Sequence, residues 1–257
     1  CANCGKQGSD SVVLKICTAC RLVKYCGVVC QRAHRKRHKK ACKQRAAEIK
    51  DEQLYSQGHE RSEGDFCPLC TLAIPPPLQE YATMRSCCVK TLCDGCCLSA
   101  VKSGLGNICP FCRTPPAKND EEALGRIQKR VAARDPEAIR YLGDQHYYGE
   151  CGLVKDASRG FELWSEAADL GSLKASSKLG MAYYYGKGVA EDEAKGIRYL
   201  ESAAMQGSVE SRYCLGCVEE ENGNVDRAVR HFLISAKLGL KQSLDKIKDL
   251  FSDGHAT

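Results

Sequence analysis

The sequence holds a single tryptophan and five phenylalanines in 257 residues, and aromatics make up only 7% of it. It has no run of about 18 apolar residues that could cross a bilayer as a helix. It has no basic start leading into an apolar stretch, so no secretory leader is expected, although the stretch opens on Cys1 rather than Met. It carries no glycine-rich phosphate loop, no dinucleotide fingerprint and no Ser-His-Asp arrangement. Nucleotide-driven, redox-cofactor and serine-hydrolase chemistry therefore have little support in the sequence. Beyond residue 112 cysteine is nearly absent: Cys151, Cys214 and Cys217 are all that remain.

Cysteine is abundant in front of that point, where 16 of the 19 are found, mostly as C-x-x-C or similar short pairs. Both sulfurs of such a turn can face one metal ion. A disulfide framework is the rival, but it suits small secreted domains. The long second half, rich in lysine and glutamate and poor in cysteine, favours a reducing intracellular compartment, cytoplasm or nucleus. The formal charge of +6 does not by itself call for a polyanionic partner. Fifteen thiolates around four Zn²⁺ would bring it to about −1. Nucleic acid and membrane are thus not expected partners.

Residues 1–42 read Cys1-x2-Cys4, Cys17-x2-Cys20, Cys26-x3-Cys30 and His38-x3-Cys42. Eight ligand-type residues in four pairs suffice for two tetrahedral zinc sites. Val12, Val13, Leu14, Ile16, Leu22, Val23 and Tyr25 offer only a thin core, so metal binding must supply much of the folding free energy, on the order of 10 kcal/mol per zinc. His38 lies four residues before Cys42, on one helix face with it. His34 competes for the same role. The spacing and the string "YCGVVCQ…HKKAC" resemble a MYND-type zinc finger. That resemblance implies interleaved coordination, with Cys1, Cys4, Cys26 and Cys30 on one zinc and Cys17, Cys20, His38 and Cys42 on the other; spacing alone leaves sequential pairing open. It also implies a peptide-binding module that often takes proline-rich segments. Gln31 matches a residue the family uses near its groove, whereas Arg35 stands where a tryptophan is common. Arg32, Arg35, Lys36, Arg37, Lys39 and Lys40 read as a solvated basic face, with a nuclear-import or nucleic-acid patch as the alternative. No aromatic residue interleaves with them to stack a base. Residues 43–64 read as a helical extension becoming a linker, with His59 exposed in it.

A second cluster spans residues 65–116: Cys67-x2-Cys70, Cys87, Cys88, Cys93-x2-Cys96, Cys97 and Cys109-x2-Cys112. The segment "FCPLC…CCVKTLCDGCC…CPFCR" resembles a RING finger over residues 66–113. The resemblance implies a cross-brace, with Cys67, Cys70, Cys93 and Cys96 on one zinc and Cys109 and Cys112 with a central pair on the other. Lys90 falls where the family places a histidine and has no lone pair for a metal, so Cys87 and Cys88 are the expected central pair. Cys97 is then left over and reads as a small buried hydrophobe. The resemblance further implies a ubiquitin-protein ligase that docks a conjugating enzyme and acts by positioning. Leu69, Pro110 and Arg113 stand at the matching contact positions. The competing reading is that Leu69 and Pro110 merely shape zinc turns and Arg113 is an ordinary surface charge.

"RTPPAKNDEEA" is a junction whose prolines disfavour helix, with Asn119 or Asp120 able to cap the next helix. From residue 120 apolar residues recur at helical spacing, and a repeat of about 36 residues appears: 137–172 aligns with 174–208 and with 210–239. Leu142-Gly143, Leu179-Gly180 and Leu215-Gly216 correspond. Gly171, Gly207 and Gly239 stop the second helix of each unit. A glycine inside the first helix costs about 1 kcal/mol against alanine, which close helix approach would offset. The pattern "LG…YYYGKGV…D…A…YLESAA…G" resembles Sel-one-like repeats, relatives of the tetratricopeptide class, over residues 120–254. It implies a solenoid with a concave face for protein partners. Trp164, Tyr147 and Tyr184 read as packing residues, and Cys214 and Cys217 as free thiols.

The expected architecture is thus multidomain: two small zinc-stabilised α+β modules and an all-α solenoid of helix pairs, holding four structural Zn²⁺. A catalytic zinc is not expected, because four protein ligands close each site. Two functions remain open: ubiquitin transfer with the solenoid as partner platform, or a scaffold whose zinc modules are structural and bind peptides.

Overall fold

The computed structural model describes residues 1–252; residues 253 and 254, expected at the end of the solenoid, lie outside them. The chain divides into two compact units, Cys1–Ser56 and Gln57 onward.

In the first unit, β1 (Lys15–Ile16) pairs antiparallel with β2 (Lys24–Tyr25), setting Lys15 opposite Tyr25. Helix α1 (Val28–Ser56) comes next and runs for 29 residues. No glycine or proline interrupts it, and Ala, Lys, Arg, Gln and Glu dominate it, all good helix formers. Only His38 and Leu54 of this helix are buried. The apolar core is thinner than the sequence suggests. Cys17, Cys20 and Tyr25 are buried, while Val13, Ile16 and Leu22 face solvent.

The second unit opens with an irregular segment that leads into the hairpin of β3 (Ala82–Arg85) and β4 (Lys90–Cys93), with Thr83 opposite Leu92. Helix α2 (Asp94–Ala100) comes after it, ending in a π-helical turn over Val101–Leu105. Then come α3 (Asp120–Ala132), α4 (Pro136–Tyr148), α5 (Ala157–Asp169), α6 (Leu173–Tyr184), α7 (Glu193–Met205), α8 (Val209–Glu221), α9 (Val225–Lys237) and α10 (Lys241–Ser252). Side-chain caps start most of these: Asn119 on α3, Asp135 on α4, Asp156 on α5, Ser172 on α6, Asp192 on α7 and Ser208 on α8. Each accepts a backbone N–H that the helix leaves unpaired. Gly171, Gly207 and Gly239 end the second helices at φ +94°, +89° and +107°, where a Cβ is disfavoured.

The repeat glycines set how closely the helices of a pair approach. A Cβ on Gly143 would lie 2.7 Å from Trp164 Cδ1, and one on Gly196 would lie 2.7 Å from the Gly180 carbonyl oxygen. The third pair keeps the first contact, with Gly216 against the Phe232 ring, but Ala228 stands where the others have Gly160 and Gly196. Trp164, Tyr184 and most of the surrounding apolar side chains are buried, and Tyr147 packs at 4.7 Å from the Trp164 ring. Trp164 Nε1 donates to Asp144 at 2.9 Å, so the one tryptophan is a packing residue.

The hairpin belongs to this core. Val89 is buried in the same apolar cluster as Ile127, Ile139 and Leu142, with Met84 packed on it. Arg130 of α3 donates to the Cys88 carbonyl at 3.4 Å. The tail of the expected linker does not hang free: Arg212 of α8 donates to the Gln57 carbonyl at 2.6 Å.

Candidate metal centres

Four groups of side chains bring their donor atoms within 4.8 Å of one another: Cys1, Cys4, Cys26 and Cys30; Cys17, Cys20, His38 and Cys42; Cys67, Cys70, Cys93 and Cys96; Cys87, Cys88, Cys109 and Cys112. Local structure places each. Four C-x-x-C turns close on the same bond, from the residue after the second cysteine back to the first carbonyl: Gly5 to Cys1 at 3.0 Å, Arg21 to Cys17 at 2.9 Å, Thr71 to Cys67 and Arg113 to Cys109 at 2.8 Å. All four donors have left-handed φ, from +56° to +74°. Helix α1 supplies Cys30, His38 and Cys42, which interleaves the first two groups. In the hairpin, a tight turn with Val89 at φ +56° lets the adjacent Cys87 and Cys88 enter one group.

Zinc–sulfur bonds of about 2.3 Å set tetrahedral sulfurs roughly 3.8 Å apart. The observed separations are 3.6 Å for Cys4–Cys26 and Cys26–Cys30, 3.8 Å for Cys17–Cys42 and Cys70–Cys93, and 3.9 Å for Cys88–Cys109. His38 Nε2 lies 3.2 Å from Cys20 Sγ. These distances far exceed a disulfide bond of about 2.05 Å, and all nineteen cysteines are free thiols. The electrostatics agree. Cys17 is drawn down to about 6, first by the Cys20 backbone N–H, while burial and its neighbours push Cys42 up to about 11. Against the effect of burial, N–H groups of Cys70, Cys93 and Leu69 bring Cys67 down to about 6; burial pushes Cys96 well up. In the fourth group burial again opposes, but Thr114 draws Cys112 down to about 6, whereas burial lifts Cys88 to about 11 and Cys87 higher. Four crowded thiols cannot all ionise without a cation among them. The four clusters fit structural Zn²⁺.

His34 stays outside: its Nδ1 lies 3.0 Å from the Tyr25 hydroxyl and its ring stacks on His38 at 5.7 Å. Among the described residues Cys97, Cys151, Cys214 and Cys217 join no such group. Cys97 packs on the small core of Cys88, Leu92 and Cys109, as a small hydrophobe would, but is not fully buried. It is half-buried and accepts a bond from Arg85 Nη2 at 3.2 Å. Arg85, Thr114 and Arg130 are supporting residues that the sequence reading missed; their only signal was proximity to the cysteine pairs.

The cations Arg32, Arg35, Lys36, Arg37, Lys39 and Lys40 of α1 are all exposed, as a solvated basic face requires. Gln31, Arg35, Lys39 and Lys43, four apart on one stripe, wall a groove of about 500 Å³ with Arg32 and Tyr25. Leu78, Met84 and Thr91 of the second module face Tyr148, Lys178 and Cys214 across a cavity of about 590 Å³. Leu69 and Arg113 are exposed and Pro110 is half-exposed.

Four cysteine-rich clusters that fit zinc, set before stacked helix pairs, define a chain of metal-stapled modules followed by a helical repeat. Residues 1–42 match the family model of the MYND finger, and residues 136–172, 173–208 and 215–240 match the Sel1 repeat. The repeat half is similar to "Protein sel-1 homolog 2" of Homo sapiens, 29% identical over 38% of this chain and 14% of that protein. It is also similar to "DAP3-binding cell death enhancer 1" of Rattus norvegicus, 32% identical over 38% of this chain and 19% of that one. The match therefore spans under a fifth of either relative. A Sel1 repeat protein from Oxalobacter formigenes has the same fold, with TM-score 0.51 at 22% identity over 61% of each chain. So does a protective antigen of uropathogenic Escherichia coli displaying an SLR fold, with TM-score 0.50 at 23% identity over 55% of this chain and 31% of that one. No helix among the described residues is long and apolar enough to cross a membrane.

Proposed function

We propose that the chain is a zinc-stapled scaffold that binds protein segments, with sixteen ligands, Cys1, Cys4, Cys17, Cys20, Cys26, Cys30, His38, Cys42, Cys67, Cys70, Cys87, Cys88, Cys93, Cys96, Cys109 and Cys112, holding four ions. The observation that carries this reading is that every cluster brings four donors of its own, which fills a tetrahedral ion and assigns it to structure. The groove on α1 is one docking face, and its cationic wall favours an acidic segment over a purely proline-rich one.

The finer reading is a ubiquitin-protein ligase. It is supported by exposed apolar side chains on the second module: Leu69 at 39%, Leu98 at 60% and Phe111 at 42% exposure. Such groups on a small zinc module suit a transient partner such as a conjugating enzyme. Pro110 lines a shallow cleft with Leu98 and Val101. Arg113 has a structural duty as well, since its left-handed backbone closes a zinc turn. Incubation with activating enzyme, a panel of conjugating enzymes and ubiquitin should yield chains that Leu69→Ala and Arg113→Ala reduce at least tenfold with zinc content unchanged. Absence of chains with every panel member leaves the scaffold.

A further inference from the structure

Eight prolines occur in the sequence, and one alone, Pro115, follows a serine or threonine. That threonine, Thr114, stands in residues 113–117, a stretch outside every helix and strand that joins the fourth cysteine group to α3. A residue before proline is held out of the helical region and toward extended backbone. Arg113, Pro115 and Pro116 are exposed, and Thr114 is half-buried. A Thr-Pro pair in such a stretch is what one class of protein kinase accepts as substrate.

The same threonine supports a metal ligand. Its Oγ1 lies 3.2 Å from Cys112 Sγ, and its carbonyl accepts the Cys109 N–H at 2.9 Å. Cys109 and Cys112 form the fourth metal group with Cys87 and Cys88. When zinc makes Cys112 a thiolate, the Thr114 hydroxyl donates to its sulfur. Such hydrogen-bond partners of a ligand are worth about 10–100-fold in metal affinity. A phosphate ester on Oγ1 has no hydrogen left to donate. It also brings a charge of about −1.5 to −2 at pH 7. Four thiolates around one Zn²⁺ already carry a net charge of about −2.

The cations nearby are committed elsewhere. A hollow of about 140 Å³ beside Thr114 has Arg85 and Arg126 in its wall. Arg126 donates to the Pro115 carbonyl at 2.7 Å and to Glu122 at 2.7 Å, and Arg85 donates to Cys97 at 3.2 Å. The hollow gives a phosphoryl group room, but both guanidiniums are already bonded. Repulsion from the thiolates therefore decides the sign.

We propose that Thr114 is a phosphorylation site for a proline-directed protein kinase, and that its phosphate loosens the fourth zinc. In the transfer, a bond forms between Oγ1 and the γ-phosphorus of ATP. The bond from that phosphorus to the β–γ bridging oxygen breaks, ADP leaves with the electron pair, and the hydroxyl proton passes through the kinase's base to water. The control of zinc rests on the metal assignment of the fourth group and is independent of whether the second module is a ligase or a scaffold.

The test treats the full, zinc-loaded chain with a panel of proline-directed kinases and ATP, and maps phosphate by peptide mass spectrometry. Phosphate should appear on Thr114 in the native chain and be absent from Pro115→Ala, which keeps the hydroxyl and its bond to Cys112. A brief pulse of a thiol-alkylating reagent then reads each metal group through its own cysteines. Cys87, Cys88, Cys109 and Cys112 should react faster by about tenfold or more once Thr114 is phosphorylated. Cys17, Cys20, Cys67 and Cys70 should be unchanged, and kinase-treated Pro115→Ala should match the untreated native chain.

No phosphate on Thr114 from any kinase of the panel overturns the site, and so does equal phosphate in Pro115→Ala. A phosphorylated chain whose fourth group reacts no faster overturns the control of zinc. Faster reaction in all four groups reports general unfolding and overturns it too. A fourth group that reacts freely before any kinase is added holds no zinc; the metal assignment and the control then fall together, while the mapping still decides the kinase site.

Discussion

Gly196→Ala reverses the sign that helix propensity assigns to it. In an open helix, replacing an interior glycine by alanine stabilises by about 0.5–1 kcal/mol. Here the new Cβ would stand 2.7 Å from the Gly180 carbonyl oxygen, 2.8 Å from the Tyr184 backbone nitrogen and 3.0 Å from the Tyr184 Cβ. Two of those three atoms are backbone and cannot swing aside. Relief requires α6 and α7 to separate by roughly half an ångström, and overpacking of this kind costs about 1–3 kcal/mol. Set against the propensity gain, the net change is a loss of about 1–2 kcal/mol, or a thermal midpoint lower by roughly 2–8 °C for a domain of this size. Gly125 of α3 is the matched control, because a Cβ there meets nothing within 4 Å, and Gly125→Ala should stabilise by up to about 1 kcal/mol. Urea unfolding of the zinc-loaded protein, monitored by circular dichroism at 222 nm, reads both. If Gly196→Ala proves as stabilising as Gly125→Ala, close approach of the helices is not what places glycine in the repeat.

Metal analysis of the purified chain should give four zinc ions, and Cys20→Ser or Cys109→Ser should each remove one; a count of two would deny one of the cysteine modules its metal. A strong chelator should unfold the β1–β2 region while most of the helical dichroism of α4–α9 persists, and equal loss in both would contradict the apolar origin of the repeat core. His231 is fully buried and held down to about 3, first by burial and then by Arg212 and Arg227. It is therefore neutral in the fold and takes a proton near 6.5 when unfolded. Stability is whole above that value and drains as pH falls below it, by about 1.4 kcal/mol per unit, or roughly 2 kcal/mol between pH 7 and 5. Acid also releases zinc, so the measurement is the difference between the native chain and His231→Gln. Parallel pH profiles for the two would remove this group as the cause.

The repeat was legible because its signals are local. Leu-Gly pairs and stop glycines recur at a fixed period, and the second helix of each unit ends just before its glycine. The cysteine pairs were legible for the same reason, since a C-x-x-C turn fixes its own geometry. Which pairs share an ion was not, because α1 has to fold back before His38 and Cys42 meet Cys17 and Cys20. Adjacency to Cys88 made Cys87 the least obvious ligand; the left-handed turn at Val89 carries it into the group, and a β-branched residue gives no hint of such a turn. The polar contact of Cys97 was not legible, because its Arg85 partner lies twelve residues earlier, on β3. The seating of the second module on the repeats was invisible, since it depends on contacts such as that between Gln57 and Arg212, 155 residues apart.

That separation also sets an order of events on the ribosome. At about 5–20 residues per second, the side chain that receives Gln57 leaves the exit tunnel roughly 8 to 30 seconds after Gln57 does. Until then the second zinc module can collect its metal, but Gln57 has no guanidinium to meet. The module reaches its full seat only after the last repeats have been made.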